Sequence, residues 1–381
     1  MGRLTEELDS QQRRVGSGWI SGMLALALAL VGLGTVSCFC FPQLLTVDAA
    51  RDFYVSNVGI IRVLLQLVLI AAFVLALLSA TLRKSTMLGF VAMTIVLIAT
   101  LMGGSKAAML SEMETDWYLG LDFFFLNFVF LGAIFIPIER LLKKNEQPIL
   151  RYEWREDLLY FLISTIFVQM LAYLSLNPSL TALAATESLG WIRDKIANQH
   201  VLIQFFEIMF LTDLAQYWFH RTFHKIPWLW KFHAVHHSAQ AMDWLAGSRM
   251  HIVEVLLMRS FTTLPMYVMG FGETALYAYI FFVYLLSVFI HANIRVPFGI
   301  FQYVIATPRF HHWHHGLEEE AIDVNFAIHF PVIDMVFGTF HLPGDRWPDG
   351  YGVGGHPVPK GFLRQLIYPF QSSDDSTSEL E

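Results

Sequence analysis

An all-α fold is predicted: a polytopic membrane bundle of about eight spanning helices with a cytoplasmic, histidine-rich helical cap. Three observations lead there. The chain of 381 residues is 55% hydrophobic and 15% charged, whereas soluble domains carry roughly 25% charged residues. Apolar runs recur along it, each close to the ~20 residues that cross a bilayer. Nine of its 15 histidines fall in two short stretches near the far end. The formal net charge of −7 gives no footing for a nucleic-acid partner. Cys38 and Cys40 lie inside an apolar run and imply neither a disulfide framework nor a thiolate metal site.

Taken in order, residues 1–17 are polar, and residues 18–41 form the first apolar run. That run is long for a signal peptide and lacks a small-x-small cleavage site, so it reads as a retained helix. Further spans are predicted over 59–82, 86–102 and 119–137. A basic linker, 139–157, separates them from spans at 158–176 and 201–218, with an outer segment at 177–199 between the two. The span 201–218 is unusually polar, carrying Gln204, Glu207 and Asp213. Spans 253–269 and 274–290 form a close pair across the turn 270–273. Residues 371–381 are rich in Ser, Asp and Glu and read as a disordered acidic tail.

Lys/Arg asymmetry sets the expected orientation. With the N-terminus in the cytoplasm, inner segments hold Arg3, Arg13, Arg14, Arg83, Lys84, Arg140, Lys143, Lys144, Arg151 and Arg155. Over the first four spans the outer loops hold Arg51 and Lys106, beside Asp48, Asp52, Glu112, Glu114 and Asp116. Following the zigzag, residues 220–249 and 291–381 both fall on the cytoplasmic side. The two histidine stretches, separated by a transmembrane hairpin, then share one face.

Those stretches read His220-Arg-Thr-Phe-His224 with His233-Ala-Val-His236-His237, and His311-His312-Trp313-His314-His315. Positions three and four apart share a helix face, and neutral imidazole is the commonest protein ligand for zinc, iron and copper. His220, His224, His233, His236, His237, His311, His314 and His315 are eight candidate ligands, too many for one tetrahedral ion and suited to two metals. His312 breaks the spacing and is left out. Asp213, Tyr217, His220 and His224 lie within one sector of a helix. Asp213 is therefore expected either to receive an imidazole N–H or to orient the site, or else to make a polar packing contact. His251 and His291 sit at the depth where the boxes begin, as extra ligands, as hydrogen-bond partners of ligands, or as structural histidines. Asn325, in Asp323-Val-Asn325, is expected either around the ligands or as a loop cap. His200, His329, His341 and His356 lack ligand spacing.

The three boxes in this order resemble the fatty acid hydroxylase / sterol desaturase superfamily of integral-membrane di-iron oxygenases. Asp213-Leu-Ala-Gln-Tyr217-Trp-Phe-His220-Arg221, Arg249-x-His251-x2-Glu254, His291-Ala-Asn, Thr307-Pro-Arg-Phe and Phe337-Gly-Thr-Phe are similar to the motifs around its boxes. The chain departs from the pattern with Ala327 where glycine is usual and Ile333 where tryptophan is usual. The resemblance covers roughly residues 137–370, taken as the catalytic domain; residues 1–136 form an N-terminal membrane region with extra spans.

The resemblance implies two Fe, O2 as oxidant, and oxidation of an unactivated C–H bond in a membrane lipid, with hydroxylation favoured over desaturation at the same centre. Neither a G-x-G-x-x-G fingerprint nor a haem-binding pair outside the boxes occurs. Electrons are therefore expected from a separate NAD(P)H-dependent chain through a cytochrome b5-like or ferredoxin-like partner. Two other classes compete. A zinc-dependent membrane hydrolase would want H-E-x-x-H, which is missing. A metal transporter would place ligands near the bilayer midplane, whereas these boxes fall in cytosolic segments.

Overall fold

The computed structural model describes residues 7–8, 16–83, 86–108, 117–355 and 358–371. Arg3, Arg13, Arg14, Lys84, Glu112, Glu114, Asp116, His356 and the tail from residue 372 lie outside the described residues. Among the described residues regular structure is helical, with two isolated bridges, Lys143 to Ile294 and Gly316 to Tyr351, and no strand. The chain divides into two compact units: Met1–Phe128 with Thr165–Gln169, and Val129–Ser164 with Met170–Glu381.

The first unit is built on α1 (Trp19–Cys40), α2 (Val58–Leu82) and α3 (Met87–Leu101). Lipid is as apolar as leucine, so burial from water cannot drive these helices together; close van der Waals packing must. Small residues at i, i+3 and i+4 spacing supply it. Ala25, Ala29 and Gly32 are buried on α1, Ala72 and Ala76 on α2, and Gly89, Ala92 and Ala99 on α3. A Cβ on Gly89 would stand 2.5 Å from the Ala76 carbonyl oxygen, so α2 and α3 meet backbone to backbone. The outward faces keep large apolar side chains exposed, among them Leu64, Leu67, Ile70 and Leu97. That pattern is expected where the solvent is lipid.

Every predicted span falls on helix, and the protein is a multi-pass membrane protein. α4 (Leu121–Leu141) follows the first three. The predicted span 158–176 is instead two helices, α5 (Trp154–Ile166) and α6 (Val168–Ala185), bent by 66°. At the break the Ile166 carbonyl accepts the Gly120 N–H at 2.8 Å instead of continuing a helical ladder. A Cβ at residue 120 would stand 3.0 Å from the Thr165 carbonyl oxygen. α7 (Val201–Lys225), α8 (Pro227–His237), α9 (Ile252–Met269) and α10 (Glu273–His291) complete the second unit's long helices. Among the described residues six helices are long and apolar enough to cross a membrane, or up to seven if the bent α5–α6 pair is one span. The remaining predicted span lies on α7, whose polar stripe sets it apart.

That stripe is buried. Gln204, Ile208, Thr212, Asp213, Tyr217 and His220 recur at i, i+3 and i+4, so α7 turns its polar residues inward. Beyond α10 the α-helices among the described residues are short: α11 (Pro308–His314), α12 (Pro331–Phe337) and α13 (Phe362–Ile367).

A buried ion network ties the basic linker to the segment before α9. Asp157 and Arg249 are fully buried, and the Asp157 carboxylate accepts from Arg151 and Arg249, both at 2.5 Å. Arg151 also reaches Asp243 at 2.7 Å, and Arg249 reaches Glu153 at 2.8 Å. Removing one member of such a network strands the others without water. Asp157→Ala is expected to destabilise the protein by about 3–5 kcal/mol, read as a lowered unfolding midpoint in detergent. An unchanged midpoint would mean that the network carries no stability.

Candidate metal centre

Three helices deliver the box histidines. α7 ends with His220 and His224, one turn apart. Extended Ile226 precedes Pro227, which starts α8 at the position where a missing N–H costs nothing, and α8 ends in His233, His236 and His237. On α11 Thr307 caps the N-terminus, accepting the Phe310 N–H at 3.3 Å, with Pro308 first in the helix. One turn on, His311, His314 and His315 fall on one side.

The result is two groups. His220, His224, His233, His237 and His314 form one; His236, His291, His311 and His315 form the other. In each, one nitrogen from every ring lies within 4.8 Å of all the others. All eight box histidines are thus brought together, and His291 at the end of α10 joins them.

Proton placement shows what the groups suit. The His220 Nδ1 lies 2.8 Å from the Phe326 carbonyl oxygen and the His314 Nδ1 2.8 Å from that of Val324. The His236 Nδ1 lies 2.9 Å from the Arg249 carbonyl and the His291 Nδ1 2.7 Å from that of Ser287. The His233 Nδ1 meets a Glu254 carboxylate oxygen at 2.5 Å. Carbonyls and carboxylates only accept, so each Nδ1 carries the hydrogen and donates it. Burial pushes the His233 and His236 imidazoles down to about 3. Burial first, then neighbouring rings, holds His237, His311, His314 and His315 well below the usual histidine range. The rings are therefore neutral, with one hydrogen each, and that hydrogen is on Nδ1 wherever an acceptor fixes it.

Their Nε2 atoms are then bare, and they face each other. Nε2 of His220 and His233 are 2.9 Å apart; those of His236 and His291 are 3.2 Å apart. Neither contact can be a hydrogen bond, because no hydrogen lies between. Opposed lone pairs at this range are what a cation resolves. The donor set, all imidazole, suits a first-row transition metal. Either group could hold one ion.

Other predicted residues sit elsewhere. His251 is buried outside both groups: its Nδ1 accepts the Val253 N–H at 3.2 Å as the cap of α9, and its Nε2 donates to the Leu366 carbonyl at 3.0 Å. Both nitrogens are in use, with the tautomer opposite to that of the grouped rings. Asp213 receives no N–H from a grouped ring. Its two oxygens accept the backbone N–H groups of Ile328 and Phe330 at 2.8 and 2.7 Å. The Tyr217 hydroxyl pairs with Thr339 at 2.9 Å and accepts from Arg221 at 2.8 Å. Asn325 donates to the Phe310 and His341 carbonyls at 2.9 and 2.7 Å, and accepts the His341 N–H at 2.8 Å. It adopts φ 55°, a left-handed conformation asparagine tolerates. All three residues pin residues 324–330, the loop whose carbonyls hold His220 and His314. Asp334, which accepts the Phe326 and Ala327 N–H groups at 2.8 and 2.9 Å, does the same.

Glu254 was legible only as part of a motif. Its spacing from the boxes does not reveal that it meets His233, because α8 and α9 are joined through an irregular segment. His312, set aside for its phase, is buried and bonds the Tyr351 hydroxyl at 2.7 Å and the His291 carbonyl at 3.2 Å, supporting the second group from behind.

Fold and site together define a polytopic membrane protein with a paired, all-histidine centre fit to hold metal. Residues 205–339 match the model of the fatty acid hydroxylase family. It is 27% identical over 278 residues to an ornithine lipid hydroxylase, OlsE, of Rhizobium tropici, covering 70% of this chain and 80% of that one. To the human alkylglycerol monooxygenase it is 29% identical over 147 residues, 38% of this chain and 32% of that one. To a very-long-chain aldehyde decarbonylase of rice, Oryza sativa, it is 29% identical over 173 residues, 42% of this chain and 27% of that one. No solved structure is significantly similar to the chain.

Glu254→Gln keeps the shape but loses the carboxylate that polarises His233. It is expected to weaken metal retention about 10–100-fold, measured by chelator competition. His251→Ala should leave metal content unchanged. Equal retention in Glu254→Gln and the unsubstituted protein would contradict this assignment.

Proposed function

We propose that this chain is a membrane-bound di-iron lipid monooxygenase, an oxidoreductase that uses O2 to hydroxylate an unactivated C–H bond of a bilayer lipid. One observation carries the reading: neutral imidazoles, tautomer fixed, with bare Nε2 atoms facing one another in two groups. The names of the relatives, a lipid hydroxylase and a monooxygenase, support hydroxylation over desaturation. Residues 137–370 are proposed as the catalytic domain, residues 1–136 as a membrane region with extra spans, and residues 371–381 as an acidic tail.

Iron held by the two groups would supply the reduction of O2 and the removal of hydrogen from the lipid. The chain's own residues do the rest. Nine imidazoles present Nε2 inward. On five of them backbone carbonyls and Glu254 hold the Nδ1 protons on the far side and so keep those rings from turning. Asp213, Tyr217 and Asn325 touch no grouped ring in a hydrogen bond; they are positioning residues acting through the 324–330 loop. Burial of the groups excludes bulk water from a reactive centre. The Lys/Arg asymmetry supports an N-terminus and a site on the cytoplasmic side. Electrons would reach it from a separate NAD(P)H-dependent chain through a cytochrome b5-like or ferredoxin-like protein.

Lipid extracts from cells with and without the protein, grown under 18O2, test the reaction. The expected product carries a labelled hydroxyl. A product lacking a hydrogen pair and unlabelled would make the enzyme a desaturase. Label entering only from water would end the oxygenase reading.

A further inference from the structure

Arg259 stands at the middle of the membrane helix α9, seven residues after its first residue and ten before its last. It shares a face with Val255, one turn before it, and Met266, two turns after it, and both are buried. Leu257, Phe261 and Leu264 occupy the opposite, lipid-exposed face. The Arg259 side chain therefore leaves the helix on the side turned into the bundle, and the residue is half-buried.

Among the described residues nothing accepts a hydrogen bond or an ion pair from it. This sets it apart within its unit. Arg151, Arg193, Arg221, Arg249 and Arg309 are buried or half-buried too, and each has an acceptor. The neighbouring hydroxyls are already engaged. Thr262 bonds the Met258 carbonyl at 3.0 Å, and Thr263 bonds the Arg259 carbonyl at 2.8 Å and Ser179 at 2.9 Å. The nearest carboxylate along the helix, Glu254, lies about 140° round the axis from Arg259; its Oε1 meets His233 at 2.5 Å and its Oε2 has no partner. An unpaired cation inside a membrane bundle is costly and marks a place where a partner belongs.

We propose that Arg259 binds an oxyanion, a carboxylate or phosphate, on the lipid that enters the bundle. The proposal rests on the lipid-oxidising reading of the histidine centre and names the chemistry of its substrate. Arg259 lies five positions after Glu254, about 7.5 Å along the axis. An oxyanion held by Arg259 would thus fix a lipid within reach of the rings that Glu254 supports. A guanidinium suits this better than an ammonium, because its planar fork matches two oxygens at once.

The test is binding, which needs no turnover and so stands apart from the fate of the oxygenase reading. The full-length protein in detergent is titrated with oleate, dioleoyl phosphatidate, oleyl alcohol and diolein, each displacing a fluorescent fatty acid. The charge-assisted contact should favour an acid over its neutral counterpart by roughly tenfold or more. Whether oleate or phosphatidate shows the larger preference tells carboxylate from phosphate. Arg259→Gln should abolish the preference with metal content unchanged, and Arg259→Lys should keep part of it. Equal affinity for acid and neutral lipids in the unsubstituted protein, as expected if the guanidinium merely reaches the interface, would overturn the proposal. So would a preference surviving in Arg259→Gln.

Discussion

Bare imidazole nitrogens held about 3 Å apart repel one another, and most of the second unit is arranged to keep them there. The Nδ1 protons decide the matter. Once a backbone carbonyl or a carboxylate fixes the hydrogen on the outer nitrogen, the inner one has only a lone pair to offer. Five rings are fixed this way, by Phe326, Val324, Arg249 and Ser287 carbonyls and by Glu254. Burial removes the other escape, protonation, by holding the rings neutral. A cation is then the remaining way to satisfy the inward nitrogens.

The supports of those supports reach far along the sequence. Residues 324–330 form no regular structure, yet their carbonyls orient two rings. Asp213 on α7 and Asp334 on α12 accept its N–H groups, and the Asn325 side chain ties it to the Phe310 and His341 backbone, so its carbonyls stay directed at the rings. Arg249 links a different pair of tasks. Its carbonyl holds His236, while its side chain is clamped by Asp157 and Glu153. The two departures from the family pattern meet in this region. Ala327 and Ile333 pack in one cluster with Tyr217 and Phe326.

Much of this was legible before the structure. Composition and apolar run lengths give the helices, and box spacing gives eight grouped rings, because helical periodicity is a local property. What was not legible is non-local. His251 and His291 occupy similar depths at helix ends and look alike in the sequence. Only tertiary contacts separate them: His251 caps α9 and reaches the Leu366 carbonyl, whereas His291 is anchored by its own helix and faces His236 and His311. Asp213 is buried on α7 as His220 is, but its partners are backbone N–H groups more than a hundred residues away. The bend between α5 and α6 coincides with a bond donated by Gly120, which no reading of residues 158–176 alone contains.

Metal stoichiometry of the anaerobically purified full-length protein tests the central claim most directly. The two groups predict two iron ions per chain, with a ferrous spectrum showing two nitrogen-rich sites. Disruption of the second group by His236→Ala should lower the count. Folded, membrane-inserted protein that binds no metal when offered ferrous iron, or that keeps its full count in His236→Ala, would contradict the account.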